Sequence, residues 1–371
     1  MARTYKLKPV DLNIAIEILE MCNLRCRYCY VAAGIMGNNI MKLEDYIKII
    51  ENIISIKEKC NRIGITFTGG EPTLHPDLID MVRKAKDIGI DRIALVTNGT
   101  LMNKRFLDKL IDAGLDWIAV SIDSYLAEVN DYLRGKGVYE KVIETLKILS
   151  QYENIYKSLS VTLTSKNISK DNAEGLVKLG KKYNVDAIVF NMIMLEGNLF
   201  ENIADLMPSY DGYLKFIKFL ETELITKYFG DIEIMVGEPW AGLFDPVMLF
   251  GLTKIMKTVI PNTRMCSAGL TSLGVFSNGD LTLCLMLREK QFIIGNLTKE
   301  KLIDLIDNDI LRKIRGNSKV ICGLCEYSNY CGGCYARSLQ VFKNAFYADP
   351  LCPRNIKYLS PVIKEKLKFS E

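Results

Sequence analysis

Residues 12–29 read LNIAIEILEMCNLRCRYC, a β-rich run over 12–18 that delivers the chain into three closely spaced cysteines, Cys22, Cys26 and Cys29. The run opens a pattern that continues to about residue 195. Short β-rich stretches alternate with longer amphipathic ones, as repeated strand-helix units and a parallel sheet require. Strands are expected near 12–18, 62–68, 91–96, 117–122, 159–164 and 186–193. Lys42–Lys59, His75–Ile88, Asn103–Ala113 and Tyr139–Ser150 carry apolar residues near three- or four-residue spacing and are expected to be helices. Six strands make an α/β fold, an incomplete (β/α)6 barrel of the TIM type. In such barrels the reacting groups occupy loops at the C-terminal ends of the strands. Cys22–Cys29, Gly69–Glu71, Thr97–Gly99 and Ser121–Ser124 each follow a strand closely, so they are expected on one rim.

The chain has 371 residues, 49% hydrophobic and 25% charged, enough to bury a core and unlike a disordered or fibrous composition. A net charge of +4 argues against a dedicated nucleic-acid surface. The N-terminus lacks the apolar stretch of a signal peptide, and no run of about 18 apolar residues follows, so a cytoplasmic protein without a membrane span is expected. Eleven cysteines in such a chain hold metal or do chemistry more often than they form disulfides. Residues 61–265 contain none, which separates the first three from Cys266, Cys284, Cys322, Cys325, Cys331, Cys334 and Cys352 and predicts two metal-binding regions. Cys60 stands alone and reads as a small core residue. His75, the only histidine, reads as structure leading into a helix, so any proton transfer falls to Tyr, Asp, Glu or water.

Three thiolates leave one metal of a four-ligand cluster open. With Tyr28 before the last cysteine, CNLRCRYC resembles the signature of the radical S-adenosylmethionine (SAM) superfamily. The resemblance implies a [4Fe-4S] cluster at Cys22, Cys26 and Cys29 whose open iron is chelated by SAM, with reductive cleavage to a 5′-deoxyadenosyl radical that abstracts hydrogen. Gly69-Gly70-Glu71-Pro72 resembles that family's GGEP loop, in which missing side chains admit the backbone to the SAM amine. Thr97 and Asn98, and Ser121 and Asp123, resemble later SAM-holding strand ends, the last two as ribose or carboxylate contacts. Arg134 would pair with the SAM carboxylate through its guanidinium fork.

The second cysteine set resembles the SPASM extension behind many radical SAM barrels, which binds two auxiliary iron-sulfur clusters. The resemblance puts Cys266, Cys284 and Cys334 at the first and Cys322, Cys325, Cys331 and Cys352 at the second. The CGGC spacing of Cys331 and Cys334 is one residue shorter than usual. A zinc ribbon from Cys322, Cys325, Cys331 and Cys334 is the spacing-based alternative. The domains expected are a radical SAM barrel over 1–196, a bridging segment over 197–263, and a small cysteine-rich SPASM domain over 264–371 with an Asn278-Gly279 hairpin turn and a terminal helix.

The leading functional expectation is a maturase that oxidises or crosslinks a peptide or protein, with ferredoxin or flavodoxin as reductant. Two features weigh against it. Only about 20 residues precede the first cysteines, short of the recognition domain of many peptide maturases, and Leu285 stands where sulfatase maturases carry an acidic residue. The alternative is a tetrapyrrole-modifying enzyme of the haem-synthesis branch, because CGGCYAR approaches a pattern seen there, with Arg337 binding a substrate carboxylate. Against it, that branch commonly has His-Cys where this chain has Tyr28-Cys29. A non-enzymatic electron carrier would have no use for the SAM loops.

Overall fold

The computed structural model describes residues 11–33, 37–60, 62–240, 264–316, 319–328 and 331–354. Six parallel strands form as expected: β1 Leu12–Leu19, β2 Ile63–Gly69, β3 Arg92–Thr97, β4 Trp117–Ser121, β5 Tyr156–Thr162 and β6 Ala187–Asn191. Each pairs with the next in register, Ile14 with Ile65 and Ile65 with Ile93, for example. Ile14, Ile16, Ile18, Ile65 and Phe67 are fully buried, as expected for parallel strands covered on both faces.

The helices α1 Leu43–Ile54, α2 Leu78–Asp87, α3 Lys104–Asp112, α4 Ala127–Arg134, α5 Val138–Leu149 and α6 Lys170–Lys182 alternate with these strands. Two starts and stops differ from expectation for local reasons. Helix α1 ends at Ile54 and gives way to a 3-10 turn at Lys57–Lys59. Helix α2 begins at Leu78, because His75 precedes Pro76 and is held extended at φ −72°, ψ 123°. His75 is buried, its Nε2 2.8 Å from the Met41 carbonyl while its Nδ1 accepts from the Asp77 amide at 3.1 Å. Both nitrogens are thus used in structure. Cys60 packs against the core only half-buried.

The sheet does not stop at six strands. After α7 Leu199–Leu206 and α8 Tyr210–Phe219, the chain adds a seventh parallel strand, β7 Glu233–Val236, beside β6. On the opposite edge β8 Ser272–Val275 lies parallel to β1, and β9 Asp280–Thr282 and β10 Ile293–Asn296 continue antiparallel. One ten-stranded sheet, in the order β10-β9-β8-β1-β2-β3-β4-β5-β6-β7, therefore runs from the cysteine-rich region through the barrel. Asn278 and Gly279 occupy the β8–β9 turn, with Gly279 at φ +87°. The expected terminal helix and residues 241–263 of the bridging segment lie outside the described residues.

Candidate functional site

Strand β1 hands the chain to the cysteine loop at a point gripped by β2. The Gly70 amide donates to the Leu19 carbonyl at 2.9 Å and the Glu71 amide to the Met21 carbonyl at 2.8 Å. Gly69 has φ +135°, and a Cβ there would stand 2.2 Å from the Leu19 oxygen; on Gly70 it would stand 2.0 Å from the Met21 oxygen. Both glycines are required by the approach of the cysteine loop's own backbone. Glu71, expected to contact the cofactor, is buried and spends its carboxylate on neighbouring loops. Oε1 accepts from the Thr73 amide (3.0 Å), the Thr73 hydroxyl (2.6 Å) and the Thr97 hydroxyl (2.7 Å), and Oε2 from the Asn98 amide (2.7 Å). Glu71 is a positioning residue. Pro72 is buried at the head of the 3-10 turn Pro72–Leu74. Asn98 completes the unit by donating to Asn23 Oδ1 at 2.8 Å, and its Nδ2 lies 3.9 Å from Cys22 Sγ. Three loops distant in sequence are thus hydrogen-bonded into one rim.

Asp123 and Arg134, each expected to meet SAM, are paired with each other in the protein. Arg134 Nε lies 2.7 Å from Asp123 Oδ2, and its terminal nitrogen donates to Oδ1 at 3.0 Å. Asp123 is fully buried and also accepts from the Tyr28 hydroxyl at 2.5 Å and the Thr162 amide at 2.9 Å. Its carboxylate is therefore committed within the protein. Arg134 reaches this place on α4, whose end packs on the cysteine loop: the Arg27 amide donates to the Leu133 carbonyl at 2.9 Å, and Cys26 Sγ lies 4.0 Å from the Arg134 carbonyl. Ser121, half-buried at the end of β4, remains on the rim.

Burial raises the Cys22 thiol and pushes that of Cys26 up to about 12, the second against the pull of Arg134. Thiols so placed become thiolates when a cation is supplied, as a metal site does. Three soft donors on one loop, with no carboxylate among them, suit an iron-sulfur group and do not suit a hard cation. Among the described residues no three Cys, His, Asp or Glu side chains are arranged to hold a single metal ion.

In the second region Cys266 precedes β8 and Cys284 follows β9, and Cys334 caps the helix Tyr335–Phe342, its Sγ accepting from the Arg337 amide at 3.4 Å. Burial is the main influence on the thiols of Cys266, Cys284, Cys331, Cys334 and Cys352, raising each. Their mutual electrostatic influence separates two neighbourhoods: Cys266 acts on Cys284 and Cys334, whereas Cys322 and Cys352 act on Cys331, and Cys322 and Cys325 on Cys352. Both glycines of CGGC are left-handed, Gly332 at φ +73° and Gly333 at φ +60°. That conformation turns the short spacing sharply. Arg337 is not placed to bind a substrate carboxylate. It is fully buried, donating to both oxygens of Glu238 (2.8 and 2.7 Å) and to Asp349 Oδ2 (2.7 Å).

The radical SAM superfamily matches residues 16–180, and an iron-sulfur cluster-binding domain, SPASM, matches residues 266–335. The chain carries a radical SAM domain followed by a SPASM iron-sulfur domain. Among curated relatives, the "Antilisterial bacteriocin subtilosin biosynthesis protein AlbA" of Bacillus subtilis is 24% identical over 93% of this chain and 71% of its own. The "AdoMet-dependent heme synthase" of Methanosarcina barkeri is 25% identical over 91% and 95%. Streptococcus suis SuiB shares the fold at 18% identity, with a TM-score of 0.72 bound to S-adenosylmethionine (92% of this chain, 77% of that one) and 0.70 bound to precursor peptide SuiA (92% and 76%).

Between the cysteines of the radical SAM rim and those of the SPASM region lies a group that sequence reading missed. Tyr30, next to Cys29, feels Arg288, Glu17, Cys284 and Cys29, and burial above all pushes its phenol far up. Arg288, just after β9, donates to Glu17 on β1. Glu17 also feels Glu20, and Glu196 feels Glu289, Arg288 and Lys343. Burial raises the carboxyls of both Glu17 and Glu196. The available signal was Glu17 itself, the one charged residue in LNIAIEIL. No helix among the described residues is long and apolar enough to cross a membrane.

Proposed function

We propose that this radical SAM enzyme oxidises or crosslinks a peptide. The observation that carries the choice of substrate is the charge between the two cysteine regions. Glu17 is paired with Arg288 and also feels Glu20, and Glu196 feels Glu289, Arg288 and Lys343. A tetrapyrrole bearing several propionates needs converging cations; here the one fully buried arginine of the SPASM helix is sealed by Glu238 and Asp349. An acidic neighbourhood repels such a polycarboxylate and accepts a peptide. The peptide-linked names of AlbA and SuiB agree with this reading.

In this reading Cys22, Cys26 and Cys29 hold a [4Fe-4S] cluster, and SAM bound there supplies, on one-electron reduction, a carbon radical able to take hydrogen from substrate. Gly69 and Gly70 let the cysteine loop close against β2. Glu71 ties the Thr97–Asn98 turn to that loop, and Ser121 is left as a polar contact for the SAM ribose. Asp123 and Arg134, through Tyr28, fix the loop from below. Cys266, Cys284 and Cys334, and Cys322, Cys325, Cys331 and Cys352, hold auxiliary iron-sulfur clusters, groups that accept single electrons. The first set has three cysteines, leaving a fourth position for another ligand. A ferredoxin or flavodoxin would supply the reducing electron.

The test is anaerobic turnover of reconstituted protein with a peptide library in one arm and propionate-bearing tetrapyrroles in the other, followed by mass spectrometry. Mass loss confined to peptides supports the reading. Decarboxylated tetrapyrrole overturns it in favour of haem-type chemistry.

A further inference from the structure

Lys319 has a side chain that nothing in the catalytic account uses. It is only 2% exposed, and its Nζ has no hydrogen-bond partner. A buried ammonium without an anion is costly, because the charge leaves water and gains nothing in return. The face of Tyr335, 4.2 Å from Nζ to the ring centroid, compensates only in part. Asp349 stands nearby, its Cβ, like Lys319 Nζ, 3.1 Å from where a Gly333 Cβ would lie, but its carboxylate is shared among other donors: Oδ2 accepts from the Cys334 amide and Arg337, and Oδ1 from the Leu351 amide.

The position of the amine says what the anion is. A Cβ on Gly333 would stand 3.1 Å from Lys319 Nζ and 3.4 Å from Cys322 Sγ, so the second glycine of CGGC makes room for both. Cys266, from the other group of thiols, lies within electrostatic reach of the same amine. Lys319 thus lies beside one group at the turn between Cys331 and Cys334 and within electrostatic reach of the other. Thiolate-ligated iron-sulfur clusters are anionic centres whose potentials follow nearby charge and hydrogen bonding.

We propose that the Lys319 ammonium is the buried counter-charge of the two auxiliary clusters and raises their reduction potentials. The inference rests on the reading that these cysteines hold iron-sulfur clusters. A fixed positive charge between two electron-accepting groups favours their reduced forms and so favours taking an electron from substrate.

The experiment compares full-length wild type, Lys319→Met and Lys319→Arg after anaerobic reconstitution, by iron and sulfide content and by redox titration followed with EPR. Lys319→Met should load its clusters but show at least a tenfold smaller reduced-to-oxidised ratio for an auxiliary cluster at the wild-type midpoint, 59 mV for one electron. Lys319→Arg should titrate like wild type, and the cluster at Cys22, Cys26 and Cys29 should not shift in either variant. Failure of Lys319→Met to take up auxiliary iron while Lys319→Arg does so also supports the proposal, since arginine restores the positive charge that methionine lacks. Fully loaded Lys319→Met with unchanged midpoints overturns it, as does equal loss of iron in both variants, which would mark a packing role. Wild-type protein with iron for one cluster only overturns the cluster reading itself.

Discussion

The carbonyl oxygen of Met21 sits 2.0 Å from where a Cβ of Gly70 would stand. The GGEP loop and the cysteine loop are therefore mutually fitted surfaces, and a side chain at Gly70 strikes backbone that cannot swing away. Gly70→Val should displace the loop carrying Cys22 and lose iron together with SAM, with SAM affinity down by roughly tenfold or more, about 1.4 kcal/mol. Iron analysis and SAM-binding calorimetry on the same sample check this. Full iron with weakened SAM binding would mean that the glycine faces the cofactor alone.

Asp123 and Arg134 form a buried ion pair closed by Tyr28. Asp123→Asn leaves the guanidinium uncompensated, so unfolding stability should fall by about 3–5 kcal/mol. Tyr28→Phe removes one hydrogen bond and should cost about 1 kcal/mol. Chemical denaturation of the two variants should rank them in that order. Equal effects would contradict the pair as the centre of the network.

Burial raises the Glu71 carboxyl above its ordinary value of 4.5, with the hydrogen bonds from Thr73, Thr97 and Asn98 opposing. The folded state then binds the proton more tightly than the unfolded chain. Its contribution is fully present below the unfolded value and is lost as pH rises through the folded one. The stability difference between wild type and Glu71→Gln should therefore be more favourable to wild type near pH 4 than near pH 7. Denaturation at the two pH values measures it, and a difference that grows with pH contradicts it.

Arg288 joins the SPASM hairpin to Glu17 on β1, beside Tyr30. Its hydrogen bond goes to Glu17 and not to a residue of the GGEP or Thr97 loops. Arg288→Met should keep substrate-free formation of 5′-deoxyadenosine within about twofold of wild type while lowering product per 5′-deoxyadenosine by roughly tenfold, since misplacement of substrate costs that much or more. Chromatographic quantification of both products decides it, and parallel loss of both would place Arg288 with the SAM machinery.

Much of this architecture was legible because period and punctuation were strong: Leu12–Leu19 is apolar and ends at cysteines, and Gly69-Gly70 follows a strand. Helix α4 was missed because AEVNDYLR offers few apolar residues before glycines end it. Strand β7 is four residues long, too short for a period to register. The pairing of β8 with β1 is a contact between ends of the chain that local pattern does not encode. The protein partners of Asp123 and Glu71, Tyr28 and Arg134 for the one and Thr97 for the other, were not legible because they come from other units of the barrel.

The central claim, that Cys22, Cys26 and Cys29 support radical SAM chemistry on a peptide, is tested most directly by anaerobic turnover with SAM, a one-electron reductant and a peptide library. Iron-loaded wild type should form 5′-deoxyadenosine with matching mass loss in a peptide, and Cys26→Ala should form neither. No 5′-deoxyadenosine from iron-loaded wild type, or wild-type amounts from Cys26→Ala, would contradict the account.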